Sequence, residues 1–166
     1  MGLGRRVNAR LARDVSPAEL VFPLLRVMLG VLFLSVWADN LRKNLYDPGP
    51  YAALIDGYAD EGSAPEFWKE LMRLVADNAA FLSKLQLAVE LAFGVLLVIG
   101  LFTRIVGLLA GGYLTALWIS EVGVPNEWIW SLVFPALVAF AVALHPEAAR
   151  FGVSLPATSH IGSKRS

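Results

Sequence analysis

The stretch from Ala79 to Arg104, AAFLSKLQLAVELAFGVLLVIGLFTR, limits this chain more than any other. It is long enough to cross a bilayer, because a transmembrane helix needs about 20 mostly apolar residues. Near its middle it carries a carboxylate, Glu90. A carboxylate in hydrocarbon must find a partner, a proton or water. Whatever surrounds this helix has to supply one of the three, and the function turns on which.

The rest of the chain agrees with a membrane setting. Of its 166 residues 57% are hydrophobic and 17% charged, whereas soluble domains are about half apolar and a quarter charged. The length suits one domain. The net charge is zero and the basic residues gather at the chain ends, which argues against a nucleic-acid surface. The absence of cysteine rules out disulfides, thiol redox chemistry and thiolate metal sites within the chain. The first apolar run, about residues 20–41, follows the basic residues Arg5, Arg6, Arg10 and Arg13, and Val36-Trp37-Ala38 could pass for a cleavage site. A signal h-region is only about 7–15 residues long, however, and this run contains Arg26. It reads as a retained helix.

The pattern predicts an all-α membrane protein, a four-transmembrane-helix bundle with an amphipathic helical insert between its first two spans. A basic cytoplasmic lead occupies residues 1–18, the membrane domain residues 19–150 and a flexible cytoplasmic tail residues 151–166. The spans are expected at about 19–41, 79–102, 105–120 and 128–145, with an extracytoplasmic insert over 43–78. In the first span Arg26, Gly30, Phe33 and Trp37 share one helical face, which should point into the bundle. Within the insert, Tyr46-Asp47-Pro48-Gly49-Pro50 is a turn cluster, and Ser63-Ala64-Pro65-Glu66 has capping-box spacing. Phe67, Leu71, Leu74 and Val75 then recur at helical period, either as a lid or as a connecting helix packed on the bundle end. The second span sets Ser83, Gln86, Glu90 and Gly94 on one face, and the third carries Gly107, Gly111 and Thr115 at close-packing spacing. The lead, the Arg104 connection and the tail are basic, so the positive-inside rule places both termini in the cytoplasm.

Arg26 and Glu90 are the intramembrane charges with chemistry to offer. Depth counting along the two antiparallel spans predicts an Arg26–Glu90 ion pair. The pair reads equally well as a lock between two helices and as a proton or ligand site. If it is a site, Gly30, Trp37, Gln86 and Gly94 lie on the faces that would form its pocket. His145 and His160 have no companions that would make a metal or haem site, so no metal is expected.

Arg26-x-x-x-Gly30 followed by Leu32-Phe33, then Glu90, Gly94 and the closing run Gly100-Leu101-Phe102-Thr103-Arg104, resembles the DoxX/DoxD-like family of small four-helix membrane proteins. The likeness covers about residues 20–155 and is most specific in the second span. Relatives often close the first helix with histidine–glycine, where this chain has Ser35-Val36-Trp37-Ala38-Asp39-Asn40. The long insert is similar to the DoxD-type branch. The resemblance implies a multi-pass plasma-membrane protein of a bacterium or archaeon. Some relatives are small subunits of thiosulfate:quinone oxidoreductase, others associate with redox-defence enzymes. It therefore implies a lipid-embedded subunit that anchors or supports a quinone-linked oxidoreductase, with a quinone near Glu90 and Arg26, no covalently bound cofactor, and a soluble or membrane redox subunit as partner. Homo-oligomerisation stays open. The alternative is a non-catalytic scaffold or a carrier of a small or lipidic molecule, in which the Arg–Glu pair is structural.

Overall fold

The computed structural model describes residues 17–153, which form six α-helices and a terminal 3-10 turn, with no strand among them. The basic lead up to Ser16 and the tail from residue 154 lie outside the described residues. In order the helices are α1 (Pro17–Arg42), α2 (Pro48–Glu61), α3 (Glu66–Asp77), α4 (Ala79–Ile99), α5 (Thr103–Glu121) and α6 (Trp130–Leu144), followed by the 3-10 turn Pro146–Ala149. Helices α1, α4, α5 and α6 make an up-down-up-down bundle, and α2 and α3 cover one end of it.

Small residues set how the long helices meet. Gly30 of α1 faces Gly94 and Val98 of α4 so closely that a Cβ on Gly30 would lie 2.9 Å from the Gly94 carbonyl oxygen. A Cβ on Gly94 would lie 2.6 Å from the Leu34 side chain. In α5, Gly107 abuts Ala139 and Ala143 of α6, and Gly111 takes the Phe140 ring. Close approach of this kind replaces the hydrophobic effect as the adhesive between helices in lipid. Between these contacts lies a dry core containing Leu29, Phe33, Phe93, Leu97 and Ala110. Phe33 and Phe93 meet edge to face at 5.3 Å.

Among the described residues three helices, not four, are long and apolar enough to cross a membrane: Glu19–Arg42, Ala79–Ile99 and Thr103–Glu121. Only 28% of the apolar window in each of the first two is buried, so most of their apolar surface faces outward. The expected fourth span, 128–145, is shorter than foreseen. Helix α6 has 15 residues, a length of about 22 Å at 1.5 Å per residue. Its start is delayed by the loop, where Gly123 and Asn126 both have positive φ. Its end is forced by Pro146, which drives His145 into an extended conformation. Even so, α6 runs the full way back. Phe22 near the start of α1 stacks on His145 at 3.7 Å. Arg150 pairs with Glu19, and the Val153 amide donates to the Ile99 carbonyl at 3.0 Å. The beginning of α1 and the end of the described chain therefore share one end of the bundle.

The insert is tied to the opposite end. The Ser63 amide donates to the Val122 carbonyl at 2.6 Å, and Trp68 Nε1 donates to Ser120 Oγ at 2.9 Å. The capping box expected at Ser63–Glu66 does not form. Pro65 takes the N-cap position of α3 without a side-chain cap, and Glu66 accepts from Arg73 instead. The apolar face of α3 is also divided. Met72 and Ala76 are buried against the bundle, whereas Phe67, Leu71 and Leu74 stay exposed. With Phe81 at the start of α4, also exposed, they form an apolar ledge beside the bundle.

The tight α1–α4 crossing makes a sharp prediction. Gly30→Ala places a methyl group against backbone atoms that cannot rotate away, and overpacking of this kind costs about 1–3 kcal/mol. Gly112→Ala meets nothing within 4 Å and should gain about 1 kcal/mol of helix propensity. Thermal unfolding in detergent should show the first variant melting below the parent and the second at or above it.

Candidate functional site

Glu90 is 1% exposed, and its carboxylate is met by hydroxyl and amide donors, not by a cation. The phenols of Tyr46 and Tyr113 both donate to it, one to each oxygen. Gln86 Nε2 donates to Oε1 at 2.9 Å, and Asn40 Nδ2 approaches Oε2 at 3.4 Å. These four donors come from four places: the last turns of α1, the α1–α2 loop, α4 itself and the middle of α5. Gln86 is placed by helical spacing, one turn before Glu90. Tyr46 is held by its own backbone, whose carbonyl accepts from Lys84 Nζ at 2.9 Å. Four donors fill the acceptor positions of an ionised carboxylate, which is how a buried anion avoids a prohibitive desolvation cost.

A cavity of about 380 Å³ lies over this carboxylate, between the bundle end and the insert. Its walls are mixed. Val36, Leu45, Leu54, Ile55, Leu117 and Leu132 are apolar, while Asn40, Tyr46, Tyr51, Tyr58, Gln86, Glu90 and Glu121 bring polar groups. Helix α2 contributes the outer wall. Its Tyr51 hydroxyl donates to Gln86 Oε1 at 2.9 Å, which fixes the amide so that its nitrogen faces Glu90. Its Tyr58 hydroxyl donates to Glu127 at 3.0 Å. The chain has four tyrosines, and all four stand at or around this cavity.

Burial pushes the Tyr46 phenol above its ordinary pKa, and donation to the Glu90 carboxylate pushes it further. Tyr51 is raised by burial and then by the charge of Glu90. Tyr58 is raised by burial and then by the charges of Glu121 and Glu127. All three therefore hold their protons beyond the range in which free phenols ionise.

The expected Arg26–Glu90 ion pair does not form. The register set by Gly30 and Gly94 places Arg26 against Gly100, ten residues along α4 from Glu90. Ten residues of helix is about 15 Å, well beyond the reach of one arginine side chain. Counting depth from the helix ends puts Arg26 about 10 Å into its span and Glu90 midway in its own, a gap that a long arginine side chain could bridge. The helices are staggered instead, and Glu90 stands level with the end of α1 where Asn40 meets it.

The other sequence-identified residues divide between two places. Gln86 joins Glu90 at the cavity. Gly30 and Gly94 are packing residues at the α1–α4 crossing and do not line it. Trp37 does not line it either, and its buried indole Nε1 has no hydrogen-bond partner. Gly100, Thr103 and Arg104 lie at the far end with Arg26, where Thr103 Oγ1 donates to the Gly100 carbonyl at 3.1 Å. Tyr46, Tyr51 and Tyr113 were not foreseen as site residues. The available signal was Tyr113 itself, a hydroxyl-bearing ring in mid-span and away from the interfaces where such rings usually sit.

Two outcomes check this geometry. Tyr46→Phe leaves the carboxylate one donor short and should lower stability in detergent by about 1–3 kcal/mol, read as a lower Tm. Absorbance at 295 nm should rise at higher pH than in the unfolded chain while the fold holds, because Tyr46, Tyr51 and Tyr58 all resist ionisation. A phenol whose pKa is raised on folding contributes stability below about pH 10, and that contribution is lost as pH rises further.

No family model matches the chain, and it matches no curated protein and no solved structure.

Proposed function

We propose that this chain is a multi-pass membrane subunit of the DoxX/DoxD-like kind that receives a quinone-class head group in the cavity over Glu90 and serves a partner redox subunit. In this reading the short helix α6 completes a fourth crossing, the protein lies in the plasma membrane, and the Arg26 end faces the cytoplasm. The up-down course of the four long elements and the meeting of Glu19 with Arg150 at one end support that topology. So does the basic character of both terminal segments.

The observation that carries the proposal is the character of the cavity. Apolar and polar groups share its walls, it has room for a single substituted ring, and Asn40, Tyr46 and Gln86 stand together on a buried carboxylate that accepts from two phenols. A quinone asks for such a slot, with hydrogen-bond donors at its carbonyl oxygens. Tyr46 stays on Glu90, while Tyr51 can turn its hydroxyl from Gln86 to a ring oxygen. Reduction of the bound quinone to quinol takes two electrons from the partner subunit and two protons; a protonated Glu90 gives one proton to a ring oxygen and regains it from water on the insert side, which also supplies the second. The chain's own contribution is binding, orientation and proton transfer.

A second reading rests on a specific observation, that all the acceptor positions of Glu90 are filled from within the chain. In that reading the carboxylate is a structural knot and the protein a scaffold or carrier. The two readings separate in one experiment. Tyr51 touches the cavity and not Glu90, so Tyr51→Phe should weaken quenching of tryptophan fluorescence by a short-chain quinone about tenfold, with a smaller drop in Tm than Tyr46→Phe. Glu90→Gln should weaken it at least as much and abolish partner-supported quinone reduction. If both variants bind the quinone like the parent, and Glu90→Gln lowers only Tm, the structural reading replaces the proposal.

A further inference from the structure

The end of the bundle remote from Glu90 holds an unanswered charge. Arg26 is only 2% exposed, yet its Nε and Nη1 have no hydrogen-bond partner. No acidic group among the described residues pairs with it; at this end Glu19 and Glu147 are both taken by Arg150. The guanidinium fits where it does because two side chains are missing. A Cβ on Gly100 would collide with it, and a Cβ on Gly152 would lie 2.7 Å from Nη1. Gly100 has φ +75, a conformation that independently favours glycine as α4 turns into α5.

Both glycines also line a cavity of about 470 Å³, and the Arg26 guanidinium lies directly behind them without itself lining it. Arg104 lines the same cavity and likewise makes no ion pair among the described residues. The first turn of α5 enters it at Thr103 and Arg104 with no side-chain cap, which leaves amide donors and the positive end of the helix dipole there. Two guanidinium groups, an uncapped helix start and no anion describe an oxyanion site. A buried cation is stable only when paired. Phosphate suits arginine best, because the planar guanidinium fork can engage two of its oxygens. The apolar rim names the source. Phe102, Ile105 and Val153 line the cavity and are more than half exposed, in continuity with the outward apolar surface of α5.

We propose that this recess binds the phosphate of an anionic glycerophospholipid, with Arg104 on the phosphate, the charge of Arg26 attracting it from behind Gly100 and Gly152, and the acyl chains running along Phe102 and Ile105. The site is separate from the cavity over Glu90 and stands whether or not that cavity takes a quinone.

The test is thermal unfolding of the purified full-length chain in a neutral detergent, titrated with phosphatidylglycerol, phosphatidylcholine or inorganic phosphate. Phosphatidylglycerol should raise Tm saturably, and phosphatidylcholine should not. Arg104→Gln changes an exposed side chain and should fold normally, with apparent affinity for phosphatidylglycerol at least about tenfold weaker. Arg26→Met should melt at or above the parent without lipid, because it removes an unpaired buried cation, and should lose the lipid response. A purely structural arginine would give the opposite, a lower Tm with the response intact. Equal shifts by the two lipids, or an unchanged response in both variants, would overturn the proposal. Full reproduction of the shift by millimolar phosphate would overturn the lipid assignment in favour of a soluble oxyanion.

Discussion

The carboxylate of Glu90 and its four donors hold the rest of this structure in relation. A buried carboxylate left to itself costs several kcal/mol, and no cation pairs with it: Lys43 lines the same cavity but is held by Asp39. Hydrogen bonds to a charged group contribute about 1.5–3 kcal/mol each, so donors from α1, the α1–α2 loop, α4 and α5 are all needed together. Each donor is then committed. Asn40 fixes the end of α1, Tyr46 fixes the loop that launches the insert, and Gln86 passes the constraint through Tyr51 to α2. The cavity exists because α2 is held over this knot and does not collapse onto it.

The helices were legible in the residues; their register was not. The apolar runs predicted all four long elements to within three residues at either end, because length and hydrophobic pattern are one-dimensional properties. The shared face of Gln86 and Glu90 was legible for the same reason, as helical period decides which side chains stand together. How far two antiparallel helices slide past each other depends on which small residues meet. The first span has one glycine, Gly30, and the second has Gly94 with Gly100 at its end, and the pattern does not say which of the two Gly30 meets. The expected Arg26–Glu90 pair failed on that choice. Tyr46 was read as part of a turn cluster, and Tyr113 was not singled out in its small-residue helix, because periodicity names a face and not the partner across the bundle.

The failed pair is informative, because the two charges attract each other and still stay apart. At about 15 Å and an effective dielectric of about 20, that attraction is near 1 kcal/mol. Sliding α1 along α4 to close the gap would drive Gly30 and Gly94 out of contact and larger neighbours into it, at about 1–3 kcal/mol. It would also strip Asn40 from Glu90. Packing therefore outweighs the Coulomb term.

The charge pattern of the bundle follows from that balance. Among the described residues, Glu90, Glu121 and Glu127 have no cation in an ion pair at one end, while Arg26 and Arg104 have no anion at the other. Between them lies the dry layer of Leu29, Phe33, Phe93 and Leu97, which no polar group crosses to join the two ends. A direct Arg26–Glu90 bridge would neutralise both charges and leave neither end able to attract anything. The glycine register keeps each charge at its own end, the acid met by neutral donors inside the protein and the guanidinium left for an anion from outside. Two cavities with opposite electrostatic demands are the consequence of one helix crossing.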